Sequence, residues 1–259
     1  MQAVPSNSLL NLSEYYSTTG DRLIFDEVKA SMFAKVFAND HNPIHDCNND
    51  DFCIPGDLVL AVCHDLYGMG MLSQIKFHSP IHRSVALFLK DVGDNKYLCV
   101  DDNGNRLFSF SRGKPLLDYE EALGIILKTT SLTETLFEDA IYPQLKALNL
   151  MINPNKPSVL LTSTIISKYN QSESFSAIGS VESRAKGNVK RAQVVATYEL
   201  YTSNDMVIGN VEKSLFISGL QDFCEPTMSN YKAMLDKQRY GNESSRKVSG
   251  HKNSVRVLK

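Results

Sequence analysis

The sequence predicts an α+β fold in which a curved antiparallel sheet wraps a buried helix, with that plan run twice along the chain. Three observations predict it. Residues 58–66 are apolar nearly all round, as a helix buried on every side must be. After Gly70 the hydrophobic period changes to near-alternation in short runs, the mark of strands with one face buried. A helical stretch followed by strand-like runs then returns in the second half. A sheet that curls around its helix buries both apolar faces at once.

Each element can be justified in order. Residues 21–39 (DRLIFDEVKASMFAKVFAN) read as a helix with Asp26 as N-cap and with Val28, Met32, Phe33 and Val36 on one apolar face. A polar, turn-rich stretch follows from Asp40 to Asp51. Pro55 and Gly56 open the buried helix, and Gly68 and Gly70 close it. The runs MLSQIKFHSPIH, VALFLKDV, KYLCVDD and RLFSFSR are separated by turn residues and predict consecutive antiparallel strands. Residues 132–148 are predicted helical, with Pro143 kinking or splitting the helix. Four further strands are expected at 159–167, 174–182, 192–202 and 206–218, then a short helix near 231–237. The expected units are 1–118, 119–220 and a basic, unstructured extension at 221–259. Pairing the two units edge to edge would cover otherwise exposed strand edges.

Composition narrows the class. At 42% hydrophobic and 22% charged residues the chain has the balance of a water-soluble globular protein. No apolar run approaches the roughly 20 residues of a membrane span. The first residues carry no basic group before their short apolar patch, so no secretory signal is expected. The five cysteines are scattered, without CxxC pairs, which predicts reduced thiols and a cytoplasmic setting. No GxGxxG or GxxxxGK phosphate loop occurs, and no nucleic-acid partner is expected. The net charge is −2, but residues 236–259 carry seven basic against two acidic residues. That basic tail is read as a solvated terminus.

The informative string is Phe37-Ala38-Asn39-Asp40-His41-Asn42-Pro43-Ile44-His45-Asp46. It is followed by Ile54-Pro55-Gly56-Asp57-Leu58 at the start of the buried helix, and by Ile75-Lys76-Phe77-His78-Ser79-Pro80-Ile81 at the end of a strand. In this order, across roughly residues 21–115, the pieces resemble the MaoC-like (R)-specific enoyl-CoA hydratase and dehydratase group of the hotdog fold. Nothing comparable marks the second half, so the resemblance implies a double hotdog with one motif-bearing unit. In place of the family's His-Gly before the helix stands Pro55-Gly56, and the segment between His45 and Gly56 is short and polar.

The resemblance implies hydration or dehydration of an enoyl or 3-hydroxyacyl thioester, a lyase reaction of fatty acid metabolism. Asp40 and His45 are then the acid/base dyad and Gly56 the oxyanion donor at a helix N-terminus. Asn42 and Pro55 shape the substrate site, and Pro43 stiffens the turn between the dyad residues. No cofactor is implied, since coenzyme A or acyl carrier protein enters as part of the thioester substrate. A homodimer is compatible with such a unit. Two alternatives stay open: a non-catalytic hotdog module that binds an acyl thioester or a partner protein, and a thioesterase using a carboxylate of the central helix, Asp57 or Asp65.

Other constellations are weaker. Arg184, Lys186, Lys190 and Arg191 cluster at a hairpin and are candidates to meet coenzyme A phosphates or an acidic carrier protein, against the plainer reading of a solvated turn. Asp46, Asn48 and Asp50 faintly echo a calcium loop, but Asp51 stands where its glycine belongs. His41, His45, Asp46 and Cys47 lack a recognisable metal-ligand spacing, so no metal is expected. His64 on the buried helix, and His78 and His82 beyond it, read as hydrogen-bonded structural histidines.

Overall fold

A computed structural model of the chain describes residues 10–240, apart from 84, 156 and 189. The first half contributes β1 (Tyr16–Thr19), β2 (Arg22–Phe25), α1 (Glu27–Val36), α2 (Gly56–Tyr67), β3 (Leu72–Phe77), β4 (Leu87–Asp91), β5 (Lys96–Val100) and β6 (Arg106–Arg112). A helical run then passes through α3 (Tyr119–Ser131), α4 (Thr133–Thr135), a π-type segment (Leu136–Ile141) and α5 (Tyr142–Ala147). The rest is β7 (Leu150–Ile152), β8 (Ser158–Lys168), β9 (Ala177–Asn188), β10 (Arg191–Tyr201), β11 (Val207–Ser218), β12 (Leu220–Asp222) and α6 (Glu225–Tyr240).

Ten strands form one antiparallel sheet in the order β1-β2-β4-β5-β6-β3-β8-β11-β10-β9. The halves join where β3 pairs with β8, from Leu72 opposite Ser167 to Lys76 opposite Ser163. Each half thereby covers a strand edge of the other. The sheet's inner face wraps two helices. Every residue of α2 from Leu58 to His64 is buried, and α3 buries Ala122 to Leu127 together with Thr129 and Thr130. Each such Leu, Ile or Val contributes roughly 1.5–3 kcal/mol on leaving water, which fixes both helices under the sheet. A long antiparallel sheet curled around a central helix is the hotdog fold. No helix among the described residues is long and apolar enough to cross a membrane.

Asp26 caps α1 as expected, accepting from the Lys29 N–H. The apolar face of α1 is different from the one expected. Val28, Met32 and Val36 are more than half exposed, while Ala30, Phe33 and Ala34 turn inward. The small alanines let the helix lie close and Phe33 fills the gap, so size complementarity outweighed summed hydrophobicity. Helix α1 starts at Glu27, directly after that cap, and Arg22–Phe25 ahead of it form β2.

The second central helix is α3, upstream of the expected 132–148. Its signal was Asp118, whose side chain accepts from the Glu121 N–H, ahead of an apolar run. Pro143 falls in the first turn of α5, straight after the π-type segment, where its missing N–H costs no hydrogen bond. The extension expected to be unstructured from 221 is folded as far as 240. Strand β12 pairs with β7, and α6 buries Met228, Tyr231 and Leu235. The remainder of the basic tail, 241–259, lies outside the described residues.

Candidate active site

The dyad is built by local turn chemistry at the end of α1. Asn39 takes a left-handed conformation (φ 47°), which an asparagine tolerates, and turns the chain back on itself. The Asp40 N–H then donates to the Ala34 carbonyl (2.9 Å). Asp40 Oδ1 accepts the Asn42 N–H (2.8 Å), and Asn42 Oδ1 accepts the Ile44 N–H (3.3 Å). These two side-chain turns start the single 3-10 turn Pro43–His45. Asn49 Nδ2 donates to the Pro43 carbonyl (2.8 Å), holding the turn from the other side.

His45 is oriented by a backbone group. Its Nδ1 lies 2.8 Å from the Cys53 carbonyl, which can only accept, so Nδ1 carries a hydrogen and Nε2 is the ring nitrogen left facing the site. Nε2 faces Asp40 Oδ2 at 3.6 Å. That is beyond a direct hydrogen bond, and it leaves both groups able to reach one water between them, the arrangement acid/base chemistry needs. The Cys53 carbonyl is itself fixed. Its N–H donates to the Ile44 carbonyl (2.7 Å), and Ile54 N–H donates to the Ile81 carbonyl (2.9 Å). Burial pushes the Cys53 thiol up to about 11, so it stays protonated beside the site.

Arg83, which the sequence reading passed over, clamps the polar segment after the dyad. One guanidinium nitrogen donates to the Cys47 carbonyl (2.6 Å) and the Asn49 carbonyl (2.7 Å), while the group stacks over the Phe52 ring.

Asp40, Asn42, His45, Pro55 and Gly56 all line one cavity of about 230 Å³. The structure therefore brings together the five residues of the motif. Gly56 is the first residue of α2 and Pro55 supplies no side-chain cap, so the first-turn N–H groups of the helix have no capping side chain. The space a Gly56 side chain would need is occupied by the protein. A Cβ there would sit 2.9 Å from Leu161 Cδ2 and 3.2 Å from Phe77 Cε2. The glycine lets α2 pack closely on β3 and β8, and a side chain there would have to push aside the ends of Leu161 and Phe77.

The cavity's far wall comes from the second half: Tyr142, Leu161, Lys213, Leu215, Tyr231 and Leu235. Within it, Lys213 Nζ pairs with Asp57 Oδ2 at 2.7 Å, both side chains almost wholly buried. Lys213 was missed, although a signal existed. It stands at an inward position of an alternating strand, between buried Val211 and Leu215.

The basic cluster is not brought to the cavity. Arg184, Lys186, Lys190 and Arg191 are exposed along the β9–β10 hairpin, at the sheet's last two strands. The alternation that turns Val194 and Ala196 inward turns Arg184, Lys186 and Arg191 outward, and Lys190 sits in the turn between the strands. His64, His78 and His82 are each hydrogen-bonded within the fold, to the Tyr119 carbonyl, the Ser109 hydroxyl and the Phe52 carbonyl. No group of three His, Cys, Asp or Glu side chains suited to a metal occurs among the described residues.

Fold and cavity together define a hotdog-fold protein with a carboxylate–imidazole pair at the N-terminus of its first central helix. The chain belongs to the family described as "Protein of unknown function (DUF3581)", whose model matches residues 10–226. No curated protein matches the sequence. Among solved structures it is similar to a conserved protein of unknown function with a hot dog fold from Alicyclobacillus acidocaldarius (9% identity, covering 79% of this chain and 96% of that one, TM-score 0.45). It is also similar to the dehydratase domain of PpsC from Mycobacterium tuberculosis in complex with C12:1-CoA (11% identity, 65% and 86% covered, TM-score 0.40). A third is an acyl-CoA thioesterase II, TesB2, from Mycobacterium marinum (7% identity, 62% and 88% covered, TM-score 0.36). Likenesses at these scores carry no inference about activity.

Proposed function

We propose that the protein hydrates an enoyl thioester, or dehydrates the corresponding 3-hydroxyacyl thioester, with Asp40 and His45 as the acid/base pair. The carrier is coenzyme A or an acyl carrier protein, and the protein is then a MaoC-like lyase acting without a cofactor. One observation carries this reading: Asp40 Oδ2 and His45 Nε2 face each other at 3.6 Å on the wall of a cavity they share with the start of α2.

In the hydration direction the dyad takes a proton from water as the water oxygen bonds to C3. The C2=C3 electron pair shifts toward the thioester, and C2 then receives the proton back from the dyad. Negative charge on the thioester oxygen meets the uncapped amino end of α2. The mostly apolar wall of Leu161, Leu215, Phe77 and Leu136 suits an acyl chain.

Crotonyl-CoA tests this directly. The purified protein should abolish the enoyl absorbance, and Asp40→Asn should slow it on the order of 100-fold or more. Binding of crotonyl-CoA without turnover would favour the non-catalytic module, for which the Pro55-Gly56 opening is the supporting feature. Release of free coenzyme A thiol would favour a thioesterase.

A further inference from the structure

The Lys213–Asp57 pair is built differently from a simple staple. On the sheet's inner face a continuous row runs Phe110, Ile75, Thr164, Lys213, Ala196 across five strands. All five are buried, and Lys213 is the one charge among them. Around it, three buried polar atoms lack a hydrogen-bond partner: Asp57 Oδ1, Thr164 Oγ1 and Tyr198 Oη. Thr164 is the direct cross-strand partner of Lys213, and Tyr198 lies two residues from its other partner, Ala196. Burial and the Asp57 charge both raise the Tyr198 phenol, so it remains a neutral O–H. Lys213 and Asp57 line the cavity together with Thr162, whose hydroxyl is already spent on the Ser214 carbonyl (2.9 Å).

We propose that Lys213 and Asp57 form a second polar end of the cavity, which holds a hydroxyl or carbonyl oxygen borne by the acyl chain. The preferred ligand is then an acyl thioester with a neutral oxygen substituent rather than a plain hydrocarbon chain. This rests on the thioester reading above and deepens it.

Charge and valence select the substituent. The pair is neutral overall, so it offers no net attraction to an ion. Both side chains line the cavity, and the pair keeps carboxylate lone pairs and ammonium N–H groups beyond those used between them. A ligand carboxylate would confront the Asp57 carboxylate, and a ligand ammonium would confront Lys213. A hydroxyl donates to the first and accepts from the second. A plain chain filling the same space would leave the pair's remaining hydrogen-bonding capacity unused, which disfavours it against a chain that bears a hydroxyl.

Calorimetric binding of octanoyl-CoA and of its isomers singly hydroxylated beyond C3 tests the idea without requiring turnover, the 3-hydroxy compound being set aside because Asp40 and His45 would meet its hydroxyl. The protein should bind at least one hydroxylated isomer on the order of tenfold tighter than octanoyl-CoA. The double variant Lys213→Met/Asp57→Leu, an apolar replacement of the whole pair, should erase or invert that preference while still binding octanoyl-CoA. Equal affinity for octanoyl-CoA and every isomer in the unaltered protein overturns the polar subsite and leaves the thioester reading standing, whether or not the variant folds. Failure to bind any of these thioesters overturns both.

Discussion

The two central helices obey one plan and finish it in opposite ways. At the start of α3, Asp118 caps the Glu121 N–H, and Glu121 is fully engaged: both its oxygens lie 2.8 Å from Lys168 Nζ, and one also accepts the Phe175 N–H (2.7 Å). At the start of α2, Pro55 brings no cap and the Asp57 carboxylate keeps one oxygen unpartnered. One helix end is closed by its own side chains and the other is left open to a cavity beside the Asp40–His45 dyad. The difference teaches where the fold spends stability. Capping groups and ion pairs are saturated at the start of α3, whereas the start of α2 lacks a capping side chain and keeps an unpartnered carboxylate oxygen.

The comparison can be broken most severely at the closed end. Glu121→Leu strands the buried Lys168 ammonium and should cost about 3–5 kcal/mol in urea unfolding, with Glu121→Leu/Lys168→Met recovering most of the loss. Recovery of nothing would mean that the pair is not the source of that stability. At the open end, Gly56→Ala drives a methyl group against Leu161 and Phe77 and should cost about 1–3 kcal/mol. Leu161→Val in the same chain should restore part of it, as measured by denaturation midpoint.

A smaller contrast lies in the caps. Asp118→Ala should cost about 1 kcal/mol, whereas Pro55→Ser, which adds a cap to α2, should leave stability equal or higher while lowering thioester turnover. Unchanged turnover would show that the open helix end does not serve the reaction.

The smallest effect concerns the joint between the helices. His64 of α2 lies 3.0 Å from the Tyr119 carbonyl of α3 and stacks on its ring at 4.6 Å. Burial lowers its pKa from 6.5, so the folded state holds it neutral. The unfolded chain takes up that proton more readily. The contribution of neutral His64 is therefore present above about 6.5 and is lost as pH falls from there through the lowered folded value. Urea unfolding at neutral and mildly acidic pH should show this loss, and His64→Gln should flatten it.

Much of this architecture is readable from local pattern. The all-round apolar 58–66 segment marked α2, period-two runs marked β3 to β6, and Asp40, Asn42 and Pro43 marked a tight turn holding two functional groups five positions apart. Those features follow from contacts within a few residues, where periodicity and turn chemistry act. The misreadings share a cause. The exposed Val28, Met32 and Val36 of α1 look like a core face until the sheet shows which side has room. The fold of residues 221–240 depends on a partner strand far upstream, with Leu220 opposite Ile152, 68 positions away.

Sequence alone determined the buried helix α2, strands β3 to β6 and the dyad's turn, because each is set by neighbours along the chain. Tertiary structure alone decided that β3 pairs with β8, that α6 closes the cavity, and that Lys213 meets Asp57 across 156 positions. Contacts of that separation leave only a faint trace in any local window, such as a single charge at an inward strand position. They arise when the whole sheet curls and its two halves must bury their faces against the same pair of helices.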